Sequence, residues 1–167
     1  ITAMKIKTTP LKLKDSVMLT PSVKHFVFSC QDEKLKSFTP GQFITMIFEI
    51  NSKVIRRSYS VANLCQSQEI EFAAGYVENG PASERLFPLK IGDEIQVTGP
   101  FGRLLLKDEP VKRYFLVATS TGVVPYRAML SQLAEKLSQD PELIVHILEG
   151  VREKQDLANF LNKYLKK

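Results

Sequence analysis

The chain has 167 residues, 44% of them hydrophobic and 25% charged, with a net charge of +5. That balance belongs to a globular protein and excludes disorder, collagen-like repeats and coiled coil as the main state. At this length one full domain plus a smaller piece is expected, and no apolar run approaches the roughly 18 residues of a membrane-spanning helix.

Residues 4–100 read as short strands separated by turn signals, the pattern of a barrel or sandwich. Met4-Lys5-Ile6-Lys7 and Leu11-Lys12-Leu13-Lys14 alternate apolar and charged residues, and Val23-Lys24-His25-Phe26-Val27-Phe28 is aromatic and β-branched. Pro40-Gly41 turns into a strand over 42–50, Asn51-Ser52 makes a hairpin tip, and the chain returns over 53–61. Further strands are expected over 69–77 and, after Gly92-Asp93, over 94–97. Six such strands close a small barrel and remove most free edges.

After Pro110 the rhythm changes. Tyr114-Phe115-Leu116-Val117-Ala118 is a continuous apolar run, as expected of a parallel strand covered on both faces. A small-residue turn over 119–124 leads to Pro125 as the first residue of a helix, along which Met129, Leu130, Leu133 and Leu137 keep helical spacing. Asp140-Pro141 stops the helix, and a second buried-type strand over 143–148 completes a βαβ unit. An amphipathic segment over 155–165, ending in Lys166-Lys167, reads as a last helix. The boundary between the two parts is expected within 107–112. Two parallel strands cannot bury both faces of a sheet. The chain is therefore expected to be a piece of a longer protein or to lack part of its sequence, with a small natural variant as the third possibility.

The charge is uneven, with seven lysines against three acidic residues in positions 1–40. A basic surface suits nucleic acid, an acidic lipid surface or an acidic protein. Aromatics interleaved for base stacking are missing among these lysines, which equally serve to keep strand edges from pairing. Cys30 and Cys65 are far apart, which excludes a disulfide scaffold and a thiolate-ligated iron–sulfur cluster. No charged-then-apolar export pattern opens the chain, Met4 is the expected natural start, and the expected compartment is the cytoplasm. His25 and His146 both lie in apolar strand patterns and read as core or edge residues rather than metal ligands.

Three local patterns carry chemistry. In Arg57-Ser58-Tyr59-Ser60, on an expected strand, Arg57 and Tyr59 project to one face and the serines to the other. A guanidinium and a phenol side by side suit an anionic, planar ligand, although a half-exposed polar strand has the same pattern. Gly80-Pro81-Ala82-Ser83 opens a helix-like run, the way a backbone approaches phosphate closely; a plain helix capped by Ser83 reads the same. The stretch Ala118-Thr119-Ser120-Thr121-Gly122 lies between strand and helix, where open α/β sheets bind nucleotides, yet it lacks the full glycine-rich fingerprint.

In this order, together with Pro40-Gly41-Gln42-Phe43, Gly99-Pro100-Phe101-Gly102 and Gly150-Val151-Arg152, the motifs resemble the ferredoxin–NADP⁺ reductase family of flavoproteins over nearly the whole chain. The resemblance implies a six-stranded antiparallel Greek-key FAD-binding barrel over 1–107 and a partial parallel-sheet NAD(P)-binding domain over 112–167. It implies that Arg57 pairs with the FAD pyrophosphate, that Tyr59 lies against the isoalloxazine, and that the Ser60 hydroxyl sits near flavin N5. Gly80, Ala82 and Ser83 become a second phosphate clamp, and Thr121 and Gly122 admit the pyridine nucleotide. Two departures stand out: Ser120 replaces a family glycine, and family members continue for several more strands.

The activity so implied is electron transfer between NADPH or NADH and a one-electron carrier such as ferredoxin or flavodoxin, through FAD. Hydride transfer needs the reacting atoms about 3–3.5 Å apart with water kept away. Such carriers are commonly acidic, which the +5 charge suits. The alternative is a flavin-binding electron-transfer module of a larger complex, without NAD(P)H activity of its own. A nucleic-acid-binding barrel is the remaining rival.

Overall fold

The structure, a computed structural model, describes residues 7–64, 67–159 and Tyr164. Apolar alternation in the first hundred residues produces β1 (Thr9–Thr20), β2 (Val23–Ser29), β3 (Phe43–Ile50), β4 (Lys53–Ser60), β5 (Glu69–Gly75) and β6 (Glu94–Phe101). They form one antiparallel sheet in the order β4-β3-β6-β1-β2-β5, a Greek-key arrangement in which β6 separates the two hairpins. Asn51 and Ser52 both take positive φ, 48° and 59°, as the mirror-image turn of a two-residue hairpin requires. Leu11 and Leu13 of β1 point inward between exposed Lys12 and Lys14, and Phe26, Phe28 and Phe72 stack at the centre of the core. A single turn, α1 (Glu33–Lys36), places Leu35 in this core. Its cap is Asp32, whose carboxyl the Thr9 hydroxyl and the Leu35 and Lys34 amides hold below the usual range.

The barrel curls round but does not close by hydrogen bonds. No ladder joins the terminal strands β4 and β5. Instead the chain leaves β4, and the buried Asn63 serves the edge of β5, donating to the Glu69 carbonyl at 3.0 Å and accepting from the Glu71 amide at 2.8 Å. The Ala62 amide adds a bond to the Glu71 carbonyl at 2.8 Å. A side chain thus satisfies backbone groups that a sixth ladder would otherwise pair. The strand expected over Met4-Lys5-Ile6-Lys7 falls, for Met4 to Ile6, outside the described residues.

The second part contains β7 (Arg113–Thr119) and β8 (Ile144–Gly150), parallel and joined by a 3-10 turn (Ser120–Val123) and α3 (Val124–Gln139). Pro125 is the second helical residue, one place later than expected. Leu116, Met129 and Leu133 form the layer between sheet and helix, whereas Leu137 is exposed. The opposite face is bare: Phe115 is 58%, Val117 62% and Leu148 51% exposed. This corrects the expectation that β7 is covered on both faces, because one helix layer covers only one side of two strands. Phe115 stacks on His146 there at 4.7 Å. The expected last helix is described only as α4 (Lys154–Asn159) and the position of Tyr164. Among the described residues no helix is long and apolar enough to cross a membrane.

Candidate functional site

The β3–β4 register decides which side chains face the seam. Ile44, Met46 and Phe48 are core residues, and opposite them stand Tyr59, Arg57 and Ile55. Arg57 and Tyr59 therefore share the inward side, as the alternation of a strand requires. Ser58 lies on the other side, its hydroxyl 3.1 Å from that of Thr45. Since β4 ends the sheet, its inward side looks across the open seam, where the Tyr59 ring stacks on Phe72 with centroids 4.8 Å apart. Burial pushes the Tyr59 phenol up to about 12, with the charge of Arg57 pulling the other way. Tyr59 is thus a half-buried, uncharged aromatic plate, while Arg57 is exposed and spends one N–H on the Arg56 carbonyl at 2.8 Å. Ser60, half-buried opposite Phe43, makes no hydrogen bond through its hydroxyl among the described residues.

Six residues after β5, α2 (Pro81–Leu86) begins with Gly80 as a cap that offers no side chain. A Cβ on Gly80 would lie 2.8 Å from the Val77 carbonyl oxygen, so only glycine fits. The buried Ser83 hydroxyl does not cap the helix but accepts the Val77 amide at 2.9 Å, tying down the preceding loop. In the first turn the Ala82 and Ser83 amides are the ones left without intrahelical acceptors, since proline has no N–H to offer.

At the far side of the seam, Thr119 and Ser120 border a cleft of about 510 Å³. Its other walls include Ser22 and Tyr76 from the barrel and Gly150 and Arg152 from the end of β8, so it lies outside the carboxyl ends of the parallel strands. Thr121, half-buried, and Gly122, exposed, sit in the turn just beyond rather than on the wall. Behind this turn burial raises the Glu149 carboxyl, with the Ser120 amide opposing. Ser120 has φ 49°, in the left-handed region. That conformation costs a side-chain-bearing residue about 1–2 kcal/mol, against roughly 0.5–1 kcal/mol for the extra flexibility of glycine. Ser120→Gly is therefore expected to raise stability by about 0.5 kcal/mol in urea unfolding.

The seam and the cleft adjoin. Ala62 and Ala73 from the barrel share one buried cluster with Ala118, Val123 and Val124. A charged network beside that cluster was not legible in the sequence. The Glu71 carboxylate oxygen Oε2 lies 3.2 Å from His25 Nε2 and 3.0 Å from an Arg127 terminal nitrogen. The His25 hydrogen bond is the first cause of a lowered Glu71 carboxyl, opposed by burial and aided by Arg127. A depressed carboxyl contributes stability fully above its ordinary value near 4.5, lost as pH falls through the lowered one. Glu71→Gln is expected to lose about 2 kcal/mol at pH 7 and to show a shallower acid decline than the parent when urea midpoints are compared between pH 7 and pH 3.

Cys30 is buried and its thiol raised by that burial, so it is no activated nucleophile. Cys65 lies outside the described residues. No group of three metal-ligating side chains occurs among the described residues.

The residues fit a flat, diphosphate-bearing cofactor: an aromatic plate with an exposed arginine beside it, helix amides further on, and a cleft at the carboxyl ends of the parallel strands. Sequence comparison matches residues 10–105 to the oxidoreductase FAD-binding domain family. A ferredoxin–NADP reductase of Azotobacter vinelandii is 33% identical over 137 residues, 77% of this chain and 50% of that protein. The toluate 1,2-dioxygenase electron transfer component of Pseudomonas putida is 32% identical over 124 residues, 73% of this chain and 35% of that one. A Neisseria gonorrhoeae ferredoxin NADP⁺ reductase, solved with bound FAD and NADP, superposes with a TM-score of 0.80 at 24% identity, over 95% of this chain and 63% of that one. The chain spans about half the length of the curated reductases it matches. With its motif-bearing barrel covered by the match from residue 10 to 105, the chain belongs to the oxidoreductase FAD-binding domain family.

Proposed function

We propose that this chain binds FAD along the seam and serves a flavoprotein that moves electrons between NAD(P)H and a one-electron carrier of the ferredoxin or flavodoxin type. The observation that carries this reading is the Tyr59 plate beside the exposed Arg57, set at an open seam that adjoins the cleft at Ser120. In this reading residues 1–107 hold the flavin and residues 112–167 part of the nucleotide site. Bound FAD supplies the exchange between two-electron and one-electron steps. The protein supplies placement: Arg57 neutralises diphosphate charge, the Ala82 and Ser83 amides beyond Gly80 hold the second phosphate, and Tyr59 supports the ring. In this reading the Ser60 hydroxyl, which has no hydrogen-bond partner among the described residues, bonds the reacting edge of that ring. Thr121 and Gly122 shape the turn that receives the nicotinamide. A net charge of +5 favours encounter with an acidic carrier.

A second reading is an electron-transfer module of a larger assembly, without NAD(P)H activity by itself. The bare face of β7 and β8 favours it, since Phe115, Val117 and Leu148 leave an apolar surface that a further layer of protein would cover. Reconstitution with FAD followed by stopped-flow mixing with NADPH and with NADH separates the two. A yellow protein bleached rapidly by either nucleotide supports the first reading, and a yellow protein reduced only by dithionite supports the second. A folded chain that takes up no FAD removes both.

A further inference from the structure

We propose that Arg127 is a positioning residue that fixes the nucleotide turn against the end of the flavin strand and so sets the approach of nicotinamide to flavin. The proposal rests on the FAD and NAD(P)H reading above.

Arg127 is the fourth residue of α3 and only 6% exposed. A buried guanidinium demands partners, and its donors reach three separate segments. One terminal nitrogen donates to the Ala62 carbonyl and, at 3.0 Å, to the Glu71 carboxylate, while Nε donates to the Tyr164 carbonyl at 3.0 Å. The Tyr164 ring lies against the guanidinium, 4.8 Å from its carbon, and edge-on to His25 at 5.4 Å. His25 shares the same Glu71 oxygen, so β2 is tied in as well. The groups facing Arg127 are thus Glu71 and His25 from the barrel and Tyr164 from the C-terminal segment.

The lever arms are short. Ala62 is two residues beyond Ser60, and Arg127 is five residues beyond Gly122. Any sliding of α3 relative to Ala62 therefore passes almost undiminished to the gap between the ring-bearing strand and the nucleotide turn. The surrounding cluster, in which Ala62, Ala73, Ala118, Val123 and Val124 pack with Leu19, Val23 and Tyr164, is held by apolar contacts that carry no direction. Directional donors in a rigid fork supply that register, and a lysine, one flexible point charge, does not. Displacement by about 1 Å is enough to cost a reaction on the order of 100-fold.

The test uses the full chain loaded with FAD, as parent, Arg127→Lys, Arg127→Met and Glu71→Gln, the last as a milder loosening should Arg127→Met not fold. Flavin affinity is expected to stay within about threefold, because the diphosphate and ring contacts lie elsewhere. The expected losses are in geometry: a 10- to 100-fold slower reduction by NAD(P)H in Arg127→Lys, a larger primary isotope effect with 4-deuterated nucleotide, and weaker charge-transfer absorbance when NADP⁺ or NAD⁺ is titrated in, with nucleotide Kd little changed. Glu71→Gln is expected to fall between parent and Arg127→Lys on the same readouts. Parental charge-transfer absorbance and reduction rates in Arg127→Lys and Glu71→Gln, with only the unfolding midpoint lowered, would reduce Arg127 to structural glue and overturn the proposal. A parent that binds FAD but gives neither charge-transfer absorbance nor reduction with either nucleotide overturns it while leaving FAD binding intact. A parent that binds no FAD overturns the underlying reading as well.

Discussion

The double substitution Arg57→Ala, Tyr59→Ala is expected to yield a folded, colourless protein. Arg57 is exposed and contributes nothing to the core, and in the proposed FAD site its charge-assisted hydrogen bonds to the diphosphate are each worth about 1.5–3 kcal/mol. Tyr59 adds about 0.5–1.5 kcal/mol of ring stacking beyond the area it covers. Losing both weakens FAD by roughly 100- to 1,000-fold, enough to strip it during purification. Tyr59→Ala also removes a plate from beside Phe72, costing about 2 kcal/mol of stability, so a thermal melt must accompany the flavin titration. Tyr59→Phe keeps the plate and removes only the phenol oxygen, whose burial holds it uncharged at neutral pH in any case. That variant is expected to stay yellow, with affinity within about fivefold. A double alanine variant that remains yellow and stable would place the flavin somewhere other than the seam.

The contrast between what the sequence revealed and what it concealed follows the separation of the residues involved. Strand alternation, the Asn51-Ser52 hairpin and the Arg57–Ser60 pattern are local, and each is stated within a few neighbours. The seam is not local. Asn63 serving the edge of β5 and Tyr59 meeting Phe72 require knowledge of which strands end the sheet, and no short window contains that. The apolar run at Phe115 reads as two-sided burial because its composition is that of a central parallel strand. Composition records what the strand is suited to, while exposure depends on how many layers surround it. Glu71 and Arg127 are 56 residues apart, and Glu71 and His25 are 46 apart. Taken singly, Glu71 reads as the outward residue of an alternating strand and Arg127 as the polar side of an amphipathic helix. Only the fold shows that both are turned toward the same interface.

Gly41→Ala is expected to be the most destabilising single methyl addition in this chain. Gly41 has φ 102°, and a Cβ there would stand 1.7 Å from the Leu104 carbonyl oxygen, 2.9 Å from its carbon and 2.7 Å from the Met129 side-chain methyl. The methionine end can swing away, but the Leu104 backbone cannot move without dragging the segment that links β6 to β7. Backbone strain of about 1–2 kcal/mol adds to the collision, so a loss of about 3–5 kcal/mol is expected, visible as a fall of at least about 1 M in the urea midpoint. Two other glycines separate the contributions. Gly92 has φ 97° but its Cβ would meet only Lys12 at 4.0 Å, so Gly92→Ala isolates the strain. Gly75 has open space around it and carries neither cost. Should Gly41→Ala behave like Gly92→Ala, the close approach of the barrel loop to Leu104 is wrong. If instead the full loss appears, flavin affinity is expected to fall with it: Gly41 lies two residues before Phe43, which pairs with Ser60 on β4, the strand proposed to hold the flavin, while Met129 belongs to the helix that carries Arg127.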